Sequence, residues 1–250
     1  MMSRVVTAEV LDGLPQDDPR AIRSRRDLRR VHRAMGTRKI ILHALKAMKL
    51  ASLDVEPLRV LEIGAGDGSL LLGVAQDLDR AWPEVALTLM DRQALVTRAT
   101  MASYQSVGWT VTTEVGDVLD WAARDTDAPA NGRPRWDLIV ANLFLHHFEG
   151  AQLARLVQAI ALKSDRLLAC EPRRDWLALA GSHLTGMIGA NAVTREDAVL
   201  SVHAGFNGKE LSALWPAFGE RWRIHEHAAG LFSHCFSVER LGALPHEHRI

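Results

Sequence analysis

The chain has 250 residues, 48% of them hydrophobic, enough for one large α/β domain with elaborations and a core of its own. Its 30 basic side chains balance its 30 acidic ones, so net charge supplies no bulk attraction to nucleic acid or to a membrane surface. Two cysteines, Cys170 and Cys235, make neither a disulfide framework nor a zinc pattern, no apolar run reaches the length of a membrane span, and the polar N-terminus lacks a signal-peptide core; a reducing, cytoplasmic setting is expected.

Residues 1–19, with Gly13, Pro15, the pair Asp17-Asp18 and Pro19, read as a loosely ordered arm. From Arg20 to Lys49 the lysines and arginines face a single acid, Asp27. Leu28, Val31 and Met35, then Ile41, Leu45 and Met48, recur at helical spacing, which predicts two amphipathic helices hinged near Gly36-Thr37. Two readings fit them: a solvated basic face over an apolar stripe, or a lid that steers anionic substrates.

Arg59-Val-Leu-Glu-Ile-Gly-Ala-Gly-Asp-Gly68 organises the rest. Val60, Leu61 and Ile63 read as a strand buried on both faces, and the chain then breaks into Gly64, Gly66 and Gly68 ahead of a helix that starts at Ser69. Such a strand–glycine–helix junction leaves backbone N–H groups open to a ligand. The spacing is G-x-G-x-G, unlike the G-x-G-x-x-G of dinucleotide binders. Glu62, two residues before the first glycine, ends a buried strand and needs a donor or a cation; S-adenosylmethionine, with its ammonium and sulfonium, supplies one.

Strands then alternate with helices, as a doubly wound sheet requires. They are predicted at Ala86–Asp91, Thr110–Val115, Trp136–Asn142 and Arg166–Glu171, with helices at Gln93–Ser106 and Gly150–Leu162. Ala128–Pro134 reads as a surface loop, and Arg174–Pro216 as mostly helical. Arg223–His227 and His234–Glu239 read as a strand pair turning at Gly230, and Pro245–Ile250 as a frayed tail. His146 and His147 follow the carboxyl end of the fourth strand, where ligands of such sheets bind. Glu171-Pro-Arg-Arg174 lies at another carboxyl end and reads equally as crevice charges or as a salt-bridged turn. His183 and His203, each alone on a helix, fit a pocket lining or a structural role.

These residues resemble the class I, Rossmann-like S-adenosylmethionine-dependent methyltransferases over roughly residues 58–241, with Glu62 and Gly64, Asp91, Asp117 and Asp137 in register at strand ends or starts. The resemblance implies a seven-stranded, mostly parallel sheet with an antiparallel last strand, flanked by helices, under an N-terminal helical lid. It divides the chain into an arm and basic lid (1–52) and a catalytic domain (53–250) with a helical insertion at about 175–220. It implies cofactor contacts from Glu62, Gly64, Ala65, Gly66, Arg92 and Asn142, a ribose contact from Asp91, and adenine contacts from Asp117 and Val118. An acid that caps the following helix is the alternative for Asp91. The Asn-Pro-Pro-aromatic signature of base and glutamine-amide methylating enzymes is missing, since Leu143 and Phe144 follow Asn142.

The expected activity is O-methylation of a small aromatic or polyketide-like acceptor, with His146 or His147 as general base and Glu171 as its partner. Adjacent residues cannot both point into the crevice, so one histidine should be catalytic and the other structural. No metal site is assigned. C-methylation of a phenol- or quinone-like acceptor, a non-catalytic cofactor binder and a nucleic-acid methyltransferase are the alternatives. The basic helices lack aromatic stacking residues, which weighs against the last.

Overall fold

The computed structural model describes residues 2–48, 50, 56–78, 82–124, 135–216 and 220–243. The loop at 128–134 and the tail from 245 lie outside them. Seven strands form one sheet in the order β3-β2-β1-β4-β5-β7-β6: β1 Leu58–Ile63, β2 Val85–Asp91, β3 Trp109–Val115, β4 Leu138–Asn142, β5 Arg166–Pro172, β6 Glu220–Ala229 and β7 Ser233–Ala243. β7 pairs antiparallel with both β5 and β6, and the remaining pairs are parallel. β1 is thus central and pairs with β2 on one side and β4 on the other. That reversal of strand order is where doubly wound sheets open a crevice at their carboxyl ends.

Period-2 alternation sends the side chains of each strand to two cores. Leu61, Ile63, Ile139, Ala141, Leu167 and Phe236 pack with α6 (Gly150–Lys163) on one face. Val60, Leu87, Val140, Leu168 and Cys170 pack on the other face with α2 (Thr37–Ala47) and α3 (Ser69–Asp77). Both cysteines are buried and free.

The two N-terminal helices form as their spacing predicts. α1 (Pro19–Met35) is N-capped by Asp18 and ends at Gly36, whose φ of 69° only glycine adopts readily, and α2 follows directly. Ile41 and Leu45 bring α2 into the sheet's own core. α1 lies on α8 (Ala192–Ala204), where Ser24 meets Thr194 at 2.7 Å and the buried Asp27 accepts from the Asn191 N–H at 2.9 Å. The one acid in the basic stretch is therefore its anchor.

Two expectations are corrected. The arm is tied down: Arg4 donates to the carbonyls of Ala204 and Phe148, each at 2.8 Å, and the N–H groups of Val10 and Leu11 donate to Asp197 at 2.7 and 3.0 Å. Its partners lie far along the chain, so no local pattern announces the contact. The helix after β2, α4, starts at Arg98 rather than Gln93, because Thr97 accepts from the Thr100 N–H and caps it there. As its place at the start of the predicted strand implies, Asp137 sits at the amino end of β4, where it accepts from the Arg59 N–H at 2.7 Å and staples two strands, remote from their carboxyl ends.

Candidate active site

A cavity of about 400 Å³ opens at the carboxyl ends of β1 to β4, under the arm and α1. Glu62, Gly64, Ala65, Gly66, Asp91, Arg92, Asp117, Val118, Asn142, His146 and His147 all line it. Glu171 lies behind the wall and is fully buried.

The glycine loop is fixed by two contacts. Gly64 has φ +68°, and a Cβ there would sit 2.2 Å from Cδ2 of Phe144, so both backbone and neighbour demand glycine. The Gly66 N–H donates to Asp91 at 2.9 Å, while the other carboxylate oxygen of Asp91 takes the Gln93 N–H at 2.9 Å. These bonds orient Asp91 and leave lone pairs for a further donor. Asp117 caps α5 (Val118–Ala123) through the Leu119 N–H at 2.7 Å and still lines the cavity, so cap and ligand contact are compatible there.

Glu62 is 3% exposed, and its Oε2 is buried with no hydrogen-bond partner. Burial first, then the nearby Asp67 and Asp91, push its carboxyl up to about 8. A cationic donor in the cavity would reverse that. Asn142 likewise keeps a buried Oδ1 without a partner.

Across the cavity, the end of β4 is shaped by Glu171. Leu143 has φ 48°, strained for a residue with a branched side chain, and turns the chain so that successive N–H groups converge on that carboxylate. Glu171 accepts from the backbone of Phe144 (3.1 Å), Leu145 (2.9 Å) and His146 (3.4 Å), and from His146 Nδ1 at 2.8 Å. The other nitrogen of His146, Nε2, lies 3.3 Å from Glu9 Oε1. Burial alone would lower the His146 pKa; the hydrogen bonds to Glu171 and Glu9 outweigh it and hold the ring at about 9. His147 stacks on it at 4.2 Å between ring centroids, with Nδ1 at 3.4 Å from Asp12 Oδ2. Burial, then the charge on His146, lower the His147 pKa.

Sequence reasoning brought most of these residues to the crevice and missed the arm's contribution. Glu9, which Ser201 of α8 also contacts, and Asp12 carry no motif. Asp67 was legible in the glycine loop: it accepts from the Ser69 N–H at 3.0 Å and pairs with Arg29 of α1 at 2.8 Å. His32 of α1 faces the cavity with a buried, unpartnered Nε2, and burial, offset in part by Asp67, pulls its pKa down to about 4. Arg173, Arg174, His183 and His203 do not line the cavity. Arg174 is buried and braces Met2, Gly205 and Glu210, so the turn reading of Glu171-Pro-Arg-Arg174 holds for its arginines.

No family model matches the chain, and no curated protein matches its sequence. Solved structures do match in fold. The plantazolicin methyltransferase BpumL in complex with S-adenosylhomocysteine aligns with a TM-score of 0.58 at 13% identity, over 89% of this chain and 91% of that one. An O-methyltransferase family protein from Burkholderia thailandensis aligns at 0.56 and 14% identity, over 92% of this chain and 62% of that one. The chain therefore has the fold of the Rossmann-like S-adenosylmethionine-dependent methyltransferases. At these identities the likeness is one of architecture.

Proposed function

We propose that the chain is a methyltransferase that binds S-adenosylmethionine in this cavity and methylates an oxygen of a small aromatic or polyketide-like acceptor. The observation that carries the reading is the unpartnered Glu62 carboxylate, buried beside the glycine loop and Asp91. An orphaned acid at a strand end costs free energy, and the cofactor's ammonium would satisfy it. Asp91 would hold the ribose hydroxyls, and Asp117 and Val118 the adenine. Gly64, Ala65, Gly66, Arg92 and Asn142 would complete the lining.

The bound cofactor supplies a methyl group on a sulfonium, transferred by in-line displacement. Positioning donor and acceptor can then provide about 7–11 kcal/mol of the acceleration. The acceptor hydroxyl must also lose its proton. His147 is the better group to ionise it: His146 is engaged at both nitrogens, whereas His147 lines the cavity beside it. Glu171 acts through His146, as a positioning residue.

Residues 1–52 serve as arm and lid in this proposal. Leu28, Arg29 and His32 of α1 border the cavity, and Arg29 is latched to the glycine loop by Asp67. The covered cavity suits a small acceptor better than a nucleic-acid strand. Among the described residues no helix is long and apolar enough to cross a membrane. Release of S-adenosylhomocysteine during a screen of phenolic, quinone-like and polyketide-like acceptors tests the proposal. Turnover on none of them, despite tight cofactor binding, would favour a non-catalytic binder.

A further inference from the structure

Glu9, His146 and His147 each place one donor atom within 4.8 Å of the other two. We propose that they form a binding site for one divalent transition-metal ion on the acceptor side of the cavity. Two imidazoles and a carboxylate suit zinc, cobalt, nickel or iron rather than magnesium or calcium.

The distances fit a ligand set. His146 Nδ1 to Glu171, at 2.8 Å, is a charge-assisted N–H···O bond of ordinary length. His146 Nε2 and Glu9 Oε1 stand further apart, at 3.3 Å, as a long hydrogen bond. Metal bonds of about 2.0–2.2 Å at tetrahedral angles put neighbouring donors roughly 3.3–3.6 Å apart, so an ion replaces the proton between these two with little movement of either side chain.

The surroundings match a metal site as well. Metal-binding imidazoles usually have their second nitrogen held by a carboxylate. Glu171 does this for His146 at Nδ1, and Asp12 faces Nδ1 of His147 at 3.4 Å, which leaves Nε2 of each ring as the donor. Ser201 contacts the Glu9 carboxylate. Loading the site displaces the proton between His146 and Glu9, so binding tightens with rising pH. With an ion bound, Nε2 of His147 is a ligand rather than the base, and the ion would take over that role by holding the acceptor's oxygen and making its proton easier to lose. That role rests on the methyl-transfer reading; the ion site itself does not.

Tag-free protein, stripped with chelator and titrated with Co²⁺ at mildly alkaline pH, tests the site through visible d–d absorption. The expected result is saturation at one cobalt per chain, reversed by Zn²⁺. His147→Ala and Glu9→Gln should each weaken binding by at least about tenfold, and His183→Ala, at an exposed histidine, should leave it unchanged. A thermal shift with S-adenosylhomocysteine reports folding of each variant. Wild-type protein that shows no saturable absorption at millimolar cobalt, or folded Glu9 and His147 variants that bind like wild type, would overturn the site. Absence of the S-adenosylhomocysteine shift from wild type would instead sink the cofactor reading, whatever cobalt does.

Discussion

Among the described residues, two buried glutamate–histidine pairs are built alike. Glu171 gathers the N–H groups of the turn after β4 and the Nδ1 of His146. Glu226, on β6, gathers the N–H groups of Leu211 and Ser212, the Ser212 hydroxyl and, at 2.9 Å, Nε2 of His234. Glu171 satisfies the backbone of a turn, Glu226 the first N–H groups of the short helix Glu210–Leu214, and each fixes an imidazole. The difference lies in what surrounds the imidazole. His234 lies outside the cavity, whereas His146 reaches Glu9 from the arm and stacks on His147 at the cavity wall. A buried Glu–His pair is thus no mark of catalysis by itself; the groups that meet the second nitrogen decide.

The largest expected effects test whether the pairs are equivalent as structure. Removing the acid from either network leaves buried donors without an acceptor, a loss of several kcal/mol at about 1–3 kcal/mol for each group left unsatisfied. Glu171→Ala and Glu226→Ala should each lower the melting temperature by that equivalent, about 2–4 °C per kcal/mol at this size. A Glu226→Ala variant that melts like wild type would show that the distant pair is not structural.

The next effect separates the two. His147→Ala should reduce turnover by about 10²–10⁴-fold, the usual range for a positioned group that handles a proton, with S-adenosylhomocysteine affinity nearly intact. Losses under about tenfold would point to a carbon nucleophile or to an acceptor that arrives ionised. Comparing kcat for His147→Ala with kcat for a folded His234 variant breaks or confirms the contrast between the pairs.

A smaller effect concerns Glu62 and pH. Its carboxyl sits at about 8, raised by burial and then by Asp67 and Asp91, so the free protein holds it protonated at neutrality. Binding the cofactor's ammonium favours the carboxylate. Affinity for S-adenosylhomocysteine should therefore fall as pH drops below about 8, by up to about tenfold per unit, with a proton released on binding. Glu62→Gln should flatten that profile and weaken binding. The sign for stability is opposite: an acid whose folded pKa is raised contributes stability that is lost as pH rises through that value. Without ligand and above about pH 8, Glu62→Gln should thus melt higher than wild type, by the few degrees that relief of about 1–3 kcal/mol implies. A lower melting point would mean that Glu62 has a protein partner.

What the sequence made legible was local. The strands advertise themselves by β-branched runs, and Glu62 to Gly68 lies on one continuous segment, so that side of the cavity lining could be read from the sequence. The side formed by the arm and the histidines could not. Glu9 meets His146 across 137 positions from an arm with no periodicity, and only the placement of Glu171 reveals which histidine is held at both nitrogens. Ala94, Leu95 and Val96 imitate the start of a helix, yet the Thr97 cap delays it and leaves residues 92, 93 and 95 to line the cavity. Asp137 reads as the start of its strand and lies there, at the amino end of β4 and away from the cavity.

Calorimetric titration of the wild-type protein with S-adenosylhomocysteine, and separately with NAD, tests the central claim most directly. Saturable 1:1 binding of S-adenosylhomocysteine is expected, accompanied by a thermal stabilisation of about 2.7 kcal/mol when the ligand is at 100 times its dissociation constant, with no binding of NAD. No heat with S-adenosylhomocysteine, or equal binding of NAD, would contradict it.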